Sequence, residues 1–184
     1  MPTQKITKEE IIKIAVEVFR KQGYHKTSMK DLADACQLHK GSFYYYFKSK
    51  EDLMQEVLKA LHYYYNQKVF SIAYDEKLSA RSRFIKMFKE QEPIITRGST
   101  GCLFGNLTLE TISVTSDFKE RLKVFFTDWI SAFQAIYQEK HDEVESLQLA
   151  QQSVMEIEGA IMMMRLYDDK KLFYDACQRA LERL

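Results

Sequence analysis

The chain has 184 residues, of which 46% are hydrophobic and 29% charged, so it carries enough apolar side chains for a core and an ordinary water-facing surface. Six glycines and two prolines leave few breakers, which favours long helices and an all-α fold. No apolar run reaches membrane-span length, no apolar leader opens the chain, and a net charge of +1 neither demands nor excludes nucleic acid.

Thr7-Lys8-Glu9-Glu10 reads as a capping box, and Ile11, Ala15, Val18 and Phe19 follow as one apolar stripe, so the first helix is expected over 7–22 with Gly23 as a left-handed cap. Ser28, with Asp31 three residues on, opens a second helix whose Leu32, Ala33 and Cys36 face inward. Gln37-Leu38-His39 makes a turn. Lys40 to Phe47 is the next helix, with Phe43 and Phe47 on its buried side. Ser49-Lys50-Glu51-Asp52 reads as a third capping box at the head of a long helix to about Tyr74, lined by Leu53, Val57, Leu61 and Tyr64.

Beyond residue 76 the pattern stays helical. Leu78 to Glu92 is expected to be one helix, ended by Pro93. Arg97 to Gly101 is the flexible spot, and a helix follows through Leu103, Leu107 and Ile112. Ser116 is expected to cap a helix to Lys140; Asp142 to Tyr167 and Lys170 to Leu184 complete about nine helices. Two of them are apolar over most of their circumference, which suggests burial on two sides. Phe126, Trp129, Ile130, Phe133 and Tyr137 of one, and Val154, Ile157, Gly159, Ile161 and Met164 of the other, are therefore candidates for a homodimer interface built as a four-helix bundle across a two-fold axis.

The stretch Thr27 to Leu53 is the most informative. A short helix, a tight turn and a second short helix rich in Lys, Ser and Tyr form the layout of a DNA-reading helix-turn-helix. Residues 1–50 hold 10 Lys/Arg against 5 Asp/Glu, and residues 51–184 hold 17 against 21, so the basic excess lies where that layout is.

K-G-S-F-Y-Y-Y-F-K-S-K-E-D-L at 40–53, with the Gly23-Tyr24 step and Thr27-Ser28-x-x-Asp31-Leu32-Ala33, resembles the head of the TetR/AcrR family of bacterial regulators. The resemblance spans about the first third of the chain. It implies a three-helix DNA-binding head over 1–48 and a helical sensor and dimerisation domain over 49–184. It also implies a near-palindromic double-stranded operator and release by an unknown small-molecule inducer. Lys40, Gly41 and Ser42 open the recognition helix, where Lys and Ser side chains reach base edges. Tyr45 lies opposite Phe43 and Phe47 and can meet a thymine methyl or a base edge, with His39 adding sequence choice. Tyr44 and Tyr46 match the family's phosphate-binding Tyr and its usual His; Lys50, Thr27, Ser28 and Lys30 are expected on the DNA backbone. Two positions depart from the family pattern: Gln37 stands where Gly is usual, and His39 where a Ser cap is usual.

The sensor is less legible. Tyr64, Phe70, Phe84, Phe88, Phe104, Met162, Met163 and Tyr167 are candidate pocket residues by their apolar or aromatic character. Cys102, in Ser99-Thr100-Gly101-Cys102-Leu103 and followed by Glu110, resembles the cysteine through which some family members sense electrophiles and oxidants. A thiol near a helix N-terminus is expected to be the more nucleophilic for it. A small buried core thiol is the commoner outcome for a lone cysteine, and an oxidant sensor acting through Cys102 is an alternative to the ligand-released repressor. Cys36 and Cys177 read as core, and three widely spaced cysteines suit a reducing cytoplasm. No metal, cofactor or membrane partner is expected. HExxH, paired-Cys, Walker and GxSxG motifs are absent, which leaves an all-α enzyme, or a protein-binding module with a vestigial head, as remote alternatives.

Overall fold

A computed structural model describes residues 6–97, 100–113 and 115–184, and every structural statement below concerns those residues. They form nine α-helices and one 3₁₀ turn, with no strand. The head comprises α1 (Lys8–Gln22), α2 (Met29–Ala35) and α3 (Lys40–Tyr46). The connecting helix α4 (Lys50–Lys68) and a 3₁₀ turn (Phe70–Tyr74) lead to α5 (Ala80–Thr96), α6 (Leu103–Thr111), α7 (Lys119–Tyr137), α8 (Glu143–Tyr167) and α9 (Lys171–Glu182).

Local chemistry explains most boundaries. Thr7 and Glu10 form the reciprocal capping box of α1, and Ser28 with Asp31 that of α2. Asp142 accepts two first-turn amides of α8. Ser49 caps α4 by accepting from the Asp52 amide, but Asp52 turns back to the Lys48 amide, so the expected reciprocal box is half formed. Gly23 ends α1 with φ +79° and ψ 166°, a positive-φ cap outside the left-handed helical region.

Four expectations fail for tertiary reasons. The long helix stops at Lys68, because Val69, Phe70, Ile72 and Ala73 are all buried and a tighter 3₁₀ turn packs them between α5 and α7. Pro93 lies inside α5: Ile95 is fully buried and the Arg97 amide donates to the Pro93 carbonyl, so the last turn survives the missing amide. Ser116 does not cap α7, which begins after a fully buried Phe118 whose ring meets Tyr24 edge-on at 5.2 Å. Along α4, Tyr65 is buried while Tyr64 is exposed.

One continuous core runs from head to body, from Ile11, Phe19, Phe43 and Phe47 through Leu53 and Val57 to Phe125. Phe125 is its centre: Phe104 stacks on it at 3.6 Å, and Tyr65 and Phe70 approach at 5.1 and 5.6 Å. Tyr137 ties the last three helices together. Its buried hydroxyl donates to the Ala180 carbonyl at 2.7 Å and lies 2.8 Å from Ser153 Oγ.

This packing corrects the interface expected on α7 and α8. Trp129, Phe133, Tyr137, Val154, Ile157, Ile161 and Met164 are buried within the single chain. Helices from the same chain flank α7 and α8 on several sides and absorb most of their apolar circumference. Of the ten residues, only Phe126 and Ile130 (half-buried) and Gly159 (exposed) keep surface.

Candidate functional site

α3 is anchored from beneath by Phe43 and Phe47, both fully buried. That anchoring turns His39, Lys40, Gly41, Ser42, Tyr44 and Tyr45 outward, and all six are exposed. Tyr45 is the most open, 83% exposed. The Lys40 ammonium lies 5.9 Å from the Tyr44 ring, a loose cation–π approach that leaves its donors available. His39 occupies the N-cap position without a side-chain cap bond. Gln37 adopts the left-handed conformation that the turn needs, at φ +55°, where glycine would sit without strain.

Not every expected DNA contact lies on this surface. Thr27 is buried, and its hydroxyl donates to the Gly23 carbonyl at 2.6 Å, so it shapes the α1–α2 loop. The Tyr46 hydroxyl donates to the Ile6 carbonyl at 2.9 Å and ties α3 to the start of α1. The Lys50 ammonium donates to the Tyr24 carbonyl at 2.8 Å and sits 4.3 Å over the Tyr24 ring, so it is a strut of the head. Ser28 is exposed but caps α2, and Lys30 is exposed and paired with Asp34 at 2.6 Å. Lys48, left out of the expected set, is exposed just after α3. Its charge was legible; its freedom was not, because the partners that take up Lys50 lie in another part of the chain.

The head is clamped to the body at its α1–α2 loop. Glu110, near the end of α6, accepts from the Tyr24 amide at 2.8 Å and the His25 amide at 3.1 Å, and His25 Nε2 lies 2.9 Å from the Glu110 carbonyl. A Cβ on Gly23 would come 3.0 Å from the same carboxylate. From the α4 side, the Tyr24 hydroxyl donates to Glu51 at 2.8 Å. Burial, with Glu51 beside it, pushes the phenol above its usual value and keeps it a donor. One loop of the head is thus gripped by α4 and by α6.

At the other end of α6, Cys102 caps the helix, accepting from the Gly105 amide at 3.4 Å. Of the two readings of Cys102, reactive thiolate and buried core thiol, the side chain fits the second, being buried in the described residues. Burial raises the Cys102 thiol well above its ordinary range and neighbouring Glu158 raises it further, outweighing the helix-end amides. Burial also lifts Cys36 to about 11 and Cys177 to about 12, in keeping with core thiols.

Most of the expected pocket is solid. Phe70, Phe84 and Phe104 are buried in the core, Phe88 and Met163 are half-buried, and Tyr64 and Tyr167 are exposed. The void beside Cys102 measures only about 10 Å³. The roomier space is a cleft of about 730 Å³ between α6, α7 and α8, and Met162 is the one expected pocket residue that lines it. Its walls include Leu109, Phe126, Ile130, Met155 and Leu166, and its polar members include Asn106, Arg165 and Glu158. Glu158 is the notable omission from the sequence-based set. Its signal was an acid set between Ile157 and Ile161 in a helix apolar nearly all round.

Comparison with known proteins agrees with this geometry. Residues 11–57 match the family described as bacterial regulatory proteins, tetR family. Residues 80–179 match the C-terminal domain described as transcriptional regulator LmrA/YxaF-like. The chain is 27% identical to the HTH-type transcriptional repressor DhaR of a Mycobacterium strain, over 69% of this chain and 63% of that protein. It therefore spans less than two thirds of that relative. An HTH-type transcriptional regulator of Lactococcus lactis is 23% identical over 97% of this chain and 94% of its own. The crystal structure of a TetR transcriptional regulator from Legionella pneumophila superposes with a TM-score of 0.88 at 26% identity, over the full length of both chains.

Proposed function

Because the chain belongs to the tetR family of bacterial regulatory proteins, we propose that it is a homodimeric, DNA-binding transcriptional repressor that a small molecule releases from its operator. The observation that carries this reading is the outer face of α3. His39, Lys40, Ser42, Tyr44 and Tyr45 stand together in solvent on a rigidly anchored helix, in a short polar and cationic array suited to base edges and phosphates.

The second copy sits against the outer ridge of α8. Met155, Met162 and Leu166 are 66%, 54% and 70% exposed there, and Gly159 lies among them with open space where a Cβ would be. Two heads related by a two-fold axis then read two half-sites about 34 Å apart. Release follows from the clamp. A ligand in the cleft presses on Gly105, Asn106, Thr108 and Leu109 of α6, and the end of the same helix holds the head through Glu110. Displacing α6 reorients the α1–α2 loop and moves the heads off their spacing.

The test is a mobility-shift titration of the full chain on DNA flanking its own gene, with Lys40→Ala as control. A shift with two protomers per site, weakened in the variant, is expected. A wild-type shift matched by Lys40→Ala on every sequence would move DNA recognition off α3.

A further inference from the structure

We propose that Glu158, on the floor of the cleft between α6, α7 and α8, is the recognition carboxylate for a small organic cation with an apolar body. This names the inducer class for the regulator described above and rests on that reading for its biological consequence.

The site is built on both sides. The Glu158 Oε1 atom is closed off from solvent and has no hydrogen-bond partner. The carboxylate lies against α6 at Gly105, where an added Cβ would come 2.6 Å from Oε2, so the glycine makes room for it. No cationic side chain pairs with it: Arg165 donates to Asn106 Oδ1 at 2.6 Å, and Arg20 donates to the carbonyls of Ile94 and Gly101. A half-buried carboxylate with one oxygen closed off, a neutral thiol beside it and no counter-charge is costly, and glutamine or leucine would fill the same space at less cost. The cleft above it has the size of an organic ligand. Ile130 and Val154 give an apolar body its walls and the Phe126 ring offers a face to a cation, while Met155 and Met162 stand at the outer rim that the second copy covers. A bound amidinium or ammonium supplies the charge that the fold leaves unmatched.

The protonation state fits this role. Burial lifts the Glu158 carboxyl to about 7, with the Cys102 thiol opposing. The groups around it are the Cys102 thiol from the start of α6 and the Tyr65 phenol from α4, both pushed up and neutral, with the guanidiniums of Arg20 on α1 and Arg165 on α8 taken up as described. The α7 residues lining the cleft, Phe126 and Ile130, do not titrate. Near neutrality a share of the free protein therefore holds a proton that a bound cation displaces, so binding releases protons and tightens as pH rises.

The experiment is isothermal titration of the full chain, without DNA, with biphenylcarboxamidine, its neutral carboxamide and the biphenylcarboxylate anion. The amidine should bind about tenfold or more tighter than the carboxamide, with the carboxylate weakest. Amidine affinity should rise between about pH 6 and about pH 8, with a buffer-dependent heat reporting the released proton. Glu158→Gln should bind amidine and carboxamide alike and lose the proton release. Equal binding by wild type, preference for the carboxylate, a preference that survives Glu158→Gln, or no amidine binding overturns the proposal. Should Glu158→Gln fail to fold, wild-type charge selectivity and proton release decide the matter. Mobility shift is scored separately: a chain that shifts operator DNA but ignores the amidine refutes the cation site alone. A chain that binds the amidine and shifts no DNA refutes the regulator reading alone.

Discussion

Tyr45 and Lys50 lie five residues apart and divide the labour of the head. Tyr45 stands on the open face of α3, and its hydroxyl makes no hydrogen bond within the described residues. Tyr45→Ala should therefore cost about 1–2 kcal/mol on the preferred operator and little on unrelated DNA, as base-edge contacts do. Competition binding against scrambled DNA measures this, and a uniform loss would reassign Tyr45 to the phosphates. Lys50→Ala should instead cost about 1–2 kcal/mol of stability by removing the bond and cation–π contact to Tyr24, leaving the salt dependence of DNA binding unchanged. Thermal melts and a salt titration separate the two effects. A shallower salt slope would put Lys50 on DNA after all. Glu158 carries a pH signature of its own. Its folded carboxyl, near 7, is raised above the ordinary 4.5, so the native state holds a proton that the unfolded chain gives up. Stability from this group is full below about pH 4.5 and is lost as pH rises through about 7. Glu158→Gln should therefore stabilise the chain by about 2–3 kcal/mol at about pH 8 and change little at about pH 4. Melting curves that differ equally at both values would sink this account.

Among the elements, α6 is the short lever between cleft and head. Gly105, Asn106, Thr108 and Leu109 line the cleft and Glu110, one residue on, holds the Tyr24 and His25 amides. Glu110→Ala should speed hydrogen exchange at those two amides by about tenfold, the kinetic equivalent of one lost hydrogen bond near 1.4 kcal/mol, while the core amides of α7 and α8 stay protected. It should also blunt any loss of DNA binding caused by a cleft ligand. Unchanged exchange at Tyr24 and His25 would show that the loop is held from α4 alone. The sequence made the caps of α1, α2 and α8 readable, because Thr7, Ser28 and Asp142 act on amides a few residues away. It did not make readable the break at Val69, the helical Pro93 or the late start of α7, because each depends on burying Phe70, Ile95 or Phe118 against distant helices. The Glu110 clamp is of the same kind, spanning more than eighty residues of chain.

For the whole molecule, the head was legible from local pattern and the body was not. Lys40, Ser42 and Tyr45 could be placed outside because Phe43 and Phe47 fix the phase of one short helix. On α7 and α8 nearly every face is apolar, so phase distinguishes poorly between core, cleft and partner, and Trp129 and Ile157 went to the wrong side. What remains uncovered is the α8 ridge with Leu109, 74% exposed, beside it. Gly159 makes the ridge testable by the sign of an effect. A Cβ there meets nothing within the chain, so in an isolated protomer Gly159→Ala should add about 1 kcal/mol of helix stability. If two α8 helices cross at Gly159, the same methyl group intrudes where the backbones approach. The variant should then dissociate at higher protein concentration than wild type, measured by sedimentation equilibrium, while each protomer keeps its helical spectrum. Met162→Glu, which sets a charge on the ridge, should break the dimer and lower operator affinity without unfolding the chain. A dimer unaffected by both substitutions, with Gly159→Ala merely more stable, would place the two-fold seam on another face and leave the ridge to the cleft alone.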